Sequence, residues 1–267
     1  MPDINSLTAA AGRTTRLFVD HDLYAGSEIR VDSDRAHYLR HVLRLERGAH
    51  VDLFNGREGE WRSSLVAVAK GHATLAVERQ RRPQTSEPDL WLVFAPIKRT
   101  RVDIVAEKAT ELGVSALLPV VTQRTAVERV NVERLHAIGV EAAEQCERLS
   151  VPRVMPPVSF GKLLAEWSPQ RRLLVCAEAG DAAPIAQALH GLTCEGLPGA
   201  AAWAVMIGPE GGFARSELDA LVKLPFVMPV GLGPRILRAD TAALAALACW
   251  QAILGDGQQR PPHRTSA

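Results

Sequence analysis

From Leu17 to Val77 the apolar positions come in short runs that alternate with polar ones, as in Val51-Asp52-Leu53-Phe54, Leu65-Val66-Ala67-Val68 and Thr74-Leu75-Ala76-Val77. A period of two puts one side of each run on a core and the other toward water, the pattern of half-buried strands. Turn signals at Asn55-Gly56 and Lys70-Gly71 divide the runs, and together they predict a small β-barrel over residues 1–84. One segment breaks the period. From Asp34 to Arg47, with Ser33 or Asp34 as N-cap, a helical spacing of about 100° per residue gathers His37, Arg40, His41, Arg44 and Arg47 on one arc. Tyr38, Leu39, Val42, Leu43 and Leu45 fill the other arc. The pattern leaves two readings of the cationic arc open, an ordinary solvated face and a surface for a polyanion.

Arg79 to Pro88 has few apolar residues and two prolines, which suits a linker. After it the period changes. Continuous apolar runs at Leu90 to Ala95, Ala116 to Val121, Leu173 to Ala177, Ala201 to Ile207 and Phe226 to Val230 alternate with helical stretches. Strands that are apolar throughout are buried on both faces, so this alternation predicts an α/β domain over 85–255, a parallel sheet with helices on both faces. Residues 256–267 read as a frayed tail.

Two of these runs end in glycine loops, Gly208-Pro209-Glu210-Gly211-Gly212-Phe213 and Gly231-Leu232-Gly233-Pro234-Arg235-Ile236-Leu237-Arg238. Loops at the carboxyl ends of neighbouring strands build one ligand crevice, and glycine lets the backbone come close to the ligand. A single such turn is more simply a tight strand-to-helix connection without a ligand; the second loop favours the crevice. The loops do not match a phosphate cradle: there is no G-x-x-x-x-G-K-[ST], the third glycine of G-x-G-x-x-G is missing, and Glu210 repels a phosphate. A neutral or cationic ligand fits better. The missing fingerprint also argues against a nicotinamide oxidoreductase.

The charge balance is +1, so contact with a nucleic acid has to come from local patches. Cys146, Cys176, Cys194 and Cys249 lack metal-ligand spacing and read as reduced, buried thiols of a cytoplasmic protein. The histidines show no ligand spacing either, so no metal is expected. No apolar run approaches a membrane span, and Met1-Pro2-Asp3-Ile4 does not begin a signal peptide. Lys108 and Glu111 are spaced for an ion pair, and Ser216 reads as a helix-start residue.

The two glycine loops, Ile207-Gly208-Pro209-Glu210-Gly211-Gly212-Phe213 and Leu232-Gly233-Pro234-Arg235-Ile236-Leu237-Arg238-Ala239-Asp240-Thr241-Ala242, resemble the cofactor loops of the RsmE family. So, in order, do His37-Tyr38-Leu39-Arg40-His41-Val42-Leu43-Arg44, Leu53-Phe54-Asn55-Gly56, Lys108 to Val114, Thr122-Gln123-Arg124 and Glu144-Gln145-Cys146. Asp240 stands where the family usually has Glu, and Glu147 and Ser150 where Gly and Arg are more usual. The resemblance implies an S-adenosylmethionine-dependent methyltransferase acting on N3 of a uridine in small-subunit (16S) ribosomal RNA, naked or in the assembled subunit. It implies a PUA-like RNA-binding barrel, then a SPOUT-like parallel-sheet domain threaded through a trefoil knot, working as a homodimer in the cytoplasm. It places Gly208, Glu210, Gly211, Gly212, Leu232, Gly233, Ile236 and Leu237 around the cofactor, and Arg40, Arg44 and Arg47 on RNA phosphates.

Methylation at N3 requires loss of a proton whose charge spreads onto the two flanking carbonyl oxygens, so a cation and a proton acceptor are needed. Arg238 and Arg235 are the first candidates for the cation, with Arg124 behind them. Each could instead form a structural ion pair with Glu210, Glu111 or Asp240. Thr241 reads as the N-cap of a helix Ala242 to Leu254, and Asp240 stays open between cap and proton acceptor. The rival of another class is an RNA-binding protein that has kept the fold and lost the reaction; cofactor binding separates the two.

Overall fold

The computed structural model describes residues 15–69, 71–126, 129–177, 182–194 and 202–259. Its two compact units divide between Thr85 and Ser86.

In the amino-terminal unit, β1 (Thr15–Phe18), β2 (Glu28–Val31), β3 (His50–Phe54), β4 (Glu60–Ala69) and β5 (His72–Arg82) form one sheet in the order β1-β3-β4-β5-β2. The β1 to β3 pairing is parallel and the others antiparallel. Alternation places Leu17, Ile29, Val51, Leu53, Leu65 and Leu75 in a common core. β5 takes Arg79–Arg82 out of the expected linker. Arg82 there donates to the buried carboxylate of Glu60 at 2.9 Å, which Arg16 also meets at 2.6 Å.

The helix expected from Asp34 to Arg47 is two shorter pieces. α1 (Ser33–His37) is capped by Asp32, whose carboxylate accepts from the Arg35 amide at 2.9 Å, in place of Ser33 or Asp34. A π-helical turn, Tyr38–Val42, follows, with the Leu43 amide donating to the Tyr38 carbonyl at 3.0 Å. The segment ends at Arg44 in the left-handed region, φ 56°. A five-residue hydrogen-bond step rotates later side chains away from the 100° spacing. Leu39 is fully buried, but Tyr38 and Val42 stand 41% and 60% exposed, so the apolar arc does not close.

In the second unit, β6 (Leu90–Phe94), α2 (Arg99–Glu111), β7 (Ala116–Val121), α3 (Val132–Cys146), β8 (Arg153–Val154), β9 (Val158–Ser159), α4 (Phe160–Glu166), β10 (Arg172–Cys176), β11 (Ala183–Pro184), α5 (Ile185–Cys194), β12 (Trp203–Ile207), α6 (Arg215–Leu221), β13 (Val227–Gly231) and α7 (Ala239–Ile253) alternate as expected. The sheet runs β11-β13-β10-β12-β6-β7-β8, with β9 against the end of β7, and every pairing is parallel. Leu90, Leu92, Phe94, Val205 and Ile207 share one core with residues of α2, α5 and α7, including the fully buried Trp250. Val93, Leu173, Val175, Ala204 and Met206 point the other way, onto Leu163 of α4 and Leu221 of α6. A parallel sheet covered on both faces needs such uninterrupted apolar strands.

The glycine loops do not follow neighbouring strands, because β10 pairs with both β12 and β13 and lies between them. α7 begins at Ala239, not Ala242. Its N-cap is Arg238, which makes no side-chain cap, so neither Thr241 nor Asp240 caps the helix. Glu147 ends α3 with φ 65°, a conformation glycine adopts without strain, and Arg148 and Ser150 both bind Glu87. Cys146 is exposed, not buried. Of the expected tail, 256–259 carries hydrogen bonds back to α7, such as the Gly257 amide to the Gln251 carbonyl at 3.0 Å; 260–267 lies outside the described residues. Among the described residues no helix is long and apolar enough to cross a membrane, and no cluster of His, Cys, Asp or Glu could hold a metal.

Candidate active site at the carboxyl edge of the parallel sheet

The carboxyl ends of β12, β10 and β13 open into a crevice of about 670 Å³. The first glycine loop walls one side, the second the other, and Cys176 and Ala177 at the end of β10 lie between. All eight residues expected at the cofactor line it: Gly208, Glu210, Gly211, Gly212, Leu232, Gly233, Ile236 and Leu237. So do Arg124, Arg235 and Arg238. The volume falls within the range of small-molecule sites.

The two loops are shaped differently. Gly212 and Gly233 take φ of 66° and 101°, which favour glycine. At Gly208 a β-carbon would come within 3.1 Å of the Phe213 ring, and at Gly211 it would rest 3.5 Å from Arg124. The first loop thus turns tightly over its own Phe213, which is buried in the sheet core.

Glu217 holds the first loop to its surroundings, and sequence reasoning missed it. Its buried carboxylate accepts from the Ala214 amide at 2.8 Å, at the start of α6, and from the Gln123 amide at 2.9 Å, beyond the end of β7. Gln123 reaches Ser216 at 3.1 Å, and Arg124 donates to the Gly211 carbonyl at 2.8 Å. The Thr122-Gln123-Arg124 turn is therefore tied to α6 through Gln123 and to the first loop through Arg124. A glutamate three residues after the helix-start position is the spacing of a capping box, and that was the available signal.

The alternative ion pairs of Arg235 and Arg238 with Glu210, Glu111 or Asp240 do not form. Asp240 instead accepts from Arg101 of α2 at 2.8 Å, and Glu111 from Lys108 at 2.8 Å. Hydrogen bonds to Glu107, then Glu111, hold the Lys108 ammonium above its ordinary value. Among the described residues Arg235 and Arg238 have no carboxylate partner, and both are exposed. Asp240 lies outside the crevice. It lines a second cleft of about 640 Å³ whose walls include Glu210, Arg238 and Ala239, the residues common to both.

Burial, with Cys249 nearby, pushes the Cys176 thiol up to about 12. A thiol that stays protonated at neutral pH is no nucleophile, so the crevice binds rather than forms a covalent enzyme intermediate through this side chain.

In the first unit Arg40, Arg44 and Arg47 are all exposed, beside the exposed His37 and His41, whose rings lie 4.7 Å apart. Other arginines of this unit are committed inward: Arg16 and Arg82 to Glu60, and Arg62 to Asp52.

Residues 85–251 match the model of the RNA methyltransferase domain, and residues 31–78 that of the RNA methyltransferase PUA domain. Two curated relatives named ribosomal RNA small subunit methyltransferase E come from Synechocystis and Rickettsia conorii. The first is 33% identical, covering 90% of this chain and 78% of its own; the second is 29% identical, covering 87% and 93%. A solved ribosomal RNA small subunit methyltransferase E from Neisseria gonorrhoeae, bound to S-adenosyl methionine, superposes with TM-score 0.78 at 26% identity, over 91% of this chain and 99% of that one. A putative methyltransferase from Legionella pneumophila, in complex with the same cofactor, gives TM-score 0.76 at 27% identity, over 90% and 98%. A PUA unit followed by a parallel-sheet RNA methyltransferase unit, with these relatives along nearly its whole length, establishes that the chain belongs to the ribosomal RNA small subunit methyltransferase E family.

Proposed function

We propose that this protein methylates N3 of a uridine in small-subunit ribosomal RNA, with S-adenosylmethionine as methyl donor. The observation that carries the reading is the crevice between the two glycine loops, where all the residues expected at the cofactor meet. Its walls are mostly backbone and apolar side chains, with Glu210 as the carboxylate present and Arg124, Arg235 and Arg238 as cations, which can meet the carboxylate of the cofactor's amino-acid end. They suit a ligand that carries a sulfonium and an ammonium and lacks phosphates. Gly208, Gly211, Gly212, Leu232, Gly233, Ile236 and Leu237 hold it through main-chain groups and apolar contact, and Glu210 faces its positive charge. When bound, the cofactor supplies a methyl group as a cation equivalent on sulfur.

The protein's own work is to orient the uracil, to stabilise its charge once N3 has lost its proton, and to take that proton. Arg238 stands where the two clefts meet, exposed and without a carboxylate partner, and supplies the cation at the carbonyl oxygens. Arg235 adds positive charge on the same loop. Arg124, bonded to the Gly211 carbonyl, shapes the cofactor loop and takes second place as a cation. Asp240, relieved of the capping role, is the proton acceptor.

Arg40, Arg44 and Arg47 bind RNA phosphates, and the boundaries 1–84, 85–255 and 256–267 mark RNA platform, methyltransferase domain and tail. The working form is a cytoplasmic homodimer with the second glycine loop threaded through a trefoil knot; the 85% exposure of Ile236 on that loop supports burial against a second copy. Mass spectrometry of ribosomal RNA nucleosides from cells with and without the gene tests the activity. Loss of 3-methyluridine from the small-subunit RNA on deletion is the expected result, and an unchanged nucleoside profile overturns the reading.

A further inference from the structure

The second cleft presents an unusual sequence of charges. Arg101 of α2 donates from Nη1 to Oδ2 of Asp240 at 2.8 Å, while Oδ1 of Asp240 is shut off from water and has no hydrogen-bond partner. Arg238, two residues before Asp240, lines the cleft as well, as do Lys98 and the apolar Ile97. Asp240 therefore shares this lining with two arginines, Arg101 and Arg238, and with the apolar Ile97. A carboxylate oxygen left without a donor is destabilising by about 1–3 kcal/mol or more, and a donor brought by a ligand removes that cost.

We propose that this cleft receives the pyrimidine of the target nucleotide, and that Arg238, Asp240 and Arg101 read its edge as cation, carboxylate, cation. This rests on the function proposed above and assigns its specificity. The edge of uracil presents a carbonyl oxygen, the N3–H donor and a second carbonyl oxygen, and the row of side chains is its complement. Cytosine presents an amino donor, an unprotonated N3 and one carbonyl oxygen. Against this row its amino group meets a guanidinium and its N3 lone pair meets a carboxylate, so two of three positions are mispaired. Arg101 also holds the carboxylate through its bond to Oδ2, and a pyrimidine whose N3–H reaches Oδ1 gives that enclosed oxygen its missing donor. Asp240 then accepts the proton. The N3–H bond breaks, the proton passes to the carboxylate, and the electron pair remains on N3, where the neighbouring guanidinium groups stabilise the charge on the oxygens. Lys98 contributes a further cation for the nucleotide's phosphate. Glu210, shared with the cofactor crevice, is exposed and among the described residues has no cationic partner to fix it, so it does not take the reading role.

Saturation-transfer NMR on the full chain, with uridine 5′-monophosphate and cytidine 5′-monophosphate as probes and no cofactor added, tests this without a turnover assay. The wild type binds the uridine nucleotide roughly tenfold or more tightly than the cytidine one, the discrimination of a good bidentate pair. Arg101→Gln and Asp240→Asn bring the two nucleotides within about threefold of each other. Arg101→Lys recovers part of the discrimination, since an ammonium keeps the charge and loses the fork. Calorimetry with S-adenosylmethionine confirms that each variant is folded, and single-turnover methylation should show Arg101→Gln losing rate more than RNA affinity. Equal binding of both nucleotides by the wild type, binding of neither, or a wild-type ratio in both Arg101→Gln and Asp240→Asn overturns the proposal. If the wild type nevertheless forms 3-methyluridine in ribosomal RNA, the proposed function stands and only the reading of the second cleft falls. If it forms none, both fall.

Discussion

Gly211 and Gly233 face the same crevice but are glycines for different reasons. Gly233 holds φ at 101° with open space around it, so a side chain there fits sterically but strains the backbone, by roughly 1–3 kcal/mol. Gly211 has no such φ, and a β-carbon would meet Arg124 at an ordinary 3.5 Å. Valine at Gly211 should therefore leave the thermal midpoint nearly unchanged and weaken S-adenosylmethionine binding, while valine at Gly233 lowers both. Calorimetry and thermal melts on the two variants check this, and unchanged affinity in both removes the loops from the cofactor site. Arg238 separates chemistry from binding. A cation that acts only as charge develops on the uracil oxygens contributes to rate and not to ground-state affinity. Arg238→Ala should cost about 10²–10³ in single-turnover rate, the scale of one lost donor to a developing oxyanion, with little change in cofactor or RNA affinity. Arg238→Lys should recover that rate only in part. A wild-type rate in the alanine variant excludes Arg238 from the mechanism. Arg238 was legible in the sequence because it sits inside the glycine loop. The partner of Asp240 was not, since Arg101 lies 139 positions away and no local pattern joins them.

Among the elements, the five longer parallel strands could be read almost to the residue, because strands buried on both faces leave uninterrupted apolar runs, whereas the two-residue strands β8, β9 and β11 leave none. Their order could not: that β10 separates β12 from β13 follows from tertiary pairing, and it makes Cys176 and Ala177 part of the crevice. The segment from Ser33 to Arg44 misled for a different reason, since a 100° spacing cannot represent a π-helical turn. The turn leaves Arg40, Arg44 and Arg47 exposed all the same, and the phosphate reading can be tested on it. Changing all three to Gln should weaken RNA binding and make the slope of log affinity against log salt shallower by about 0.7–0.9 for each lost phosphate contact. An unchanged slope assigns the turn to solvent. At the opposite end of the sheet from the crevice, Asp89 ties three strands together. Its carboxylate accepts from Arg171 at 2.6 Å, before β10, and from Ser115 at 3.0 Å, before β7, while its carbonyl accepts from the Trp203 amide of β12 at 2.9 Å. Burial raises the carboxyl, but Arg171 and then Ser115 outweigh it and hold it below its ordinary value. The folded state thus binds this proton less tightly than the unfolded chain. The stabilisation is fully present above the unfolded value near pH 4 and is lost as pH falls through the lower folded one. Asp89→Asn should lower stability at neutral pH and flatten the acid limb of a stability profile followed by denaturant titration; a parallel profile in the variant removes Asp89 from the acid response.

At the scale of the whole molecule, charge and packing divide the labour between the two units. A balance of +1 gives no general attraction to RNA, so affinity has to come from local patches, for which the exposed arginines of the first unit are the proposed candidates. The buried apolar clusters do not cross the boundary: one draws on Leu17 to Val77, and the other two on residues from Leu90 onward. Both glycine loops, the Glu217 tether and the Arg101–Asp240 pair lie in the second unit. A fragment beginning at Ser86 should therefore fold with its cores intact, bind S-adenosylmethionine about as well as the full chain, and sediment as the homodimer proposed for the full chain. It should fail to methylate ribosomal RNA at limiting concentration, because the reacting centre is present but the phosphate contacts that position the substrate are not. Raising the RNA concentration should recover part of the rate, since the missing unit contributes affinity and register rather than chemistry. A fragment that methylates as fast as the full chain at limiting RNA would mean that the second unit carries its own RNA surface. A fragment that binds cofactor but stays inactive at saturating RNA would mean that the first unit contributes to the reacting centre itself.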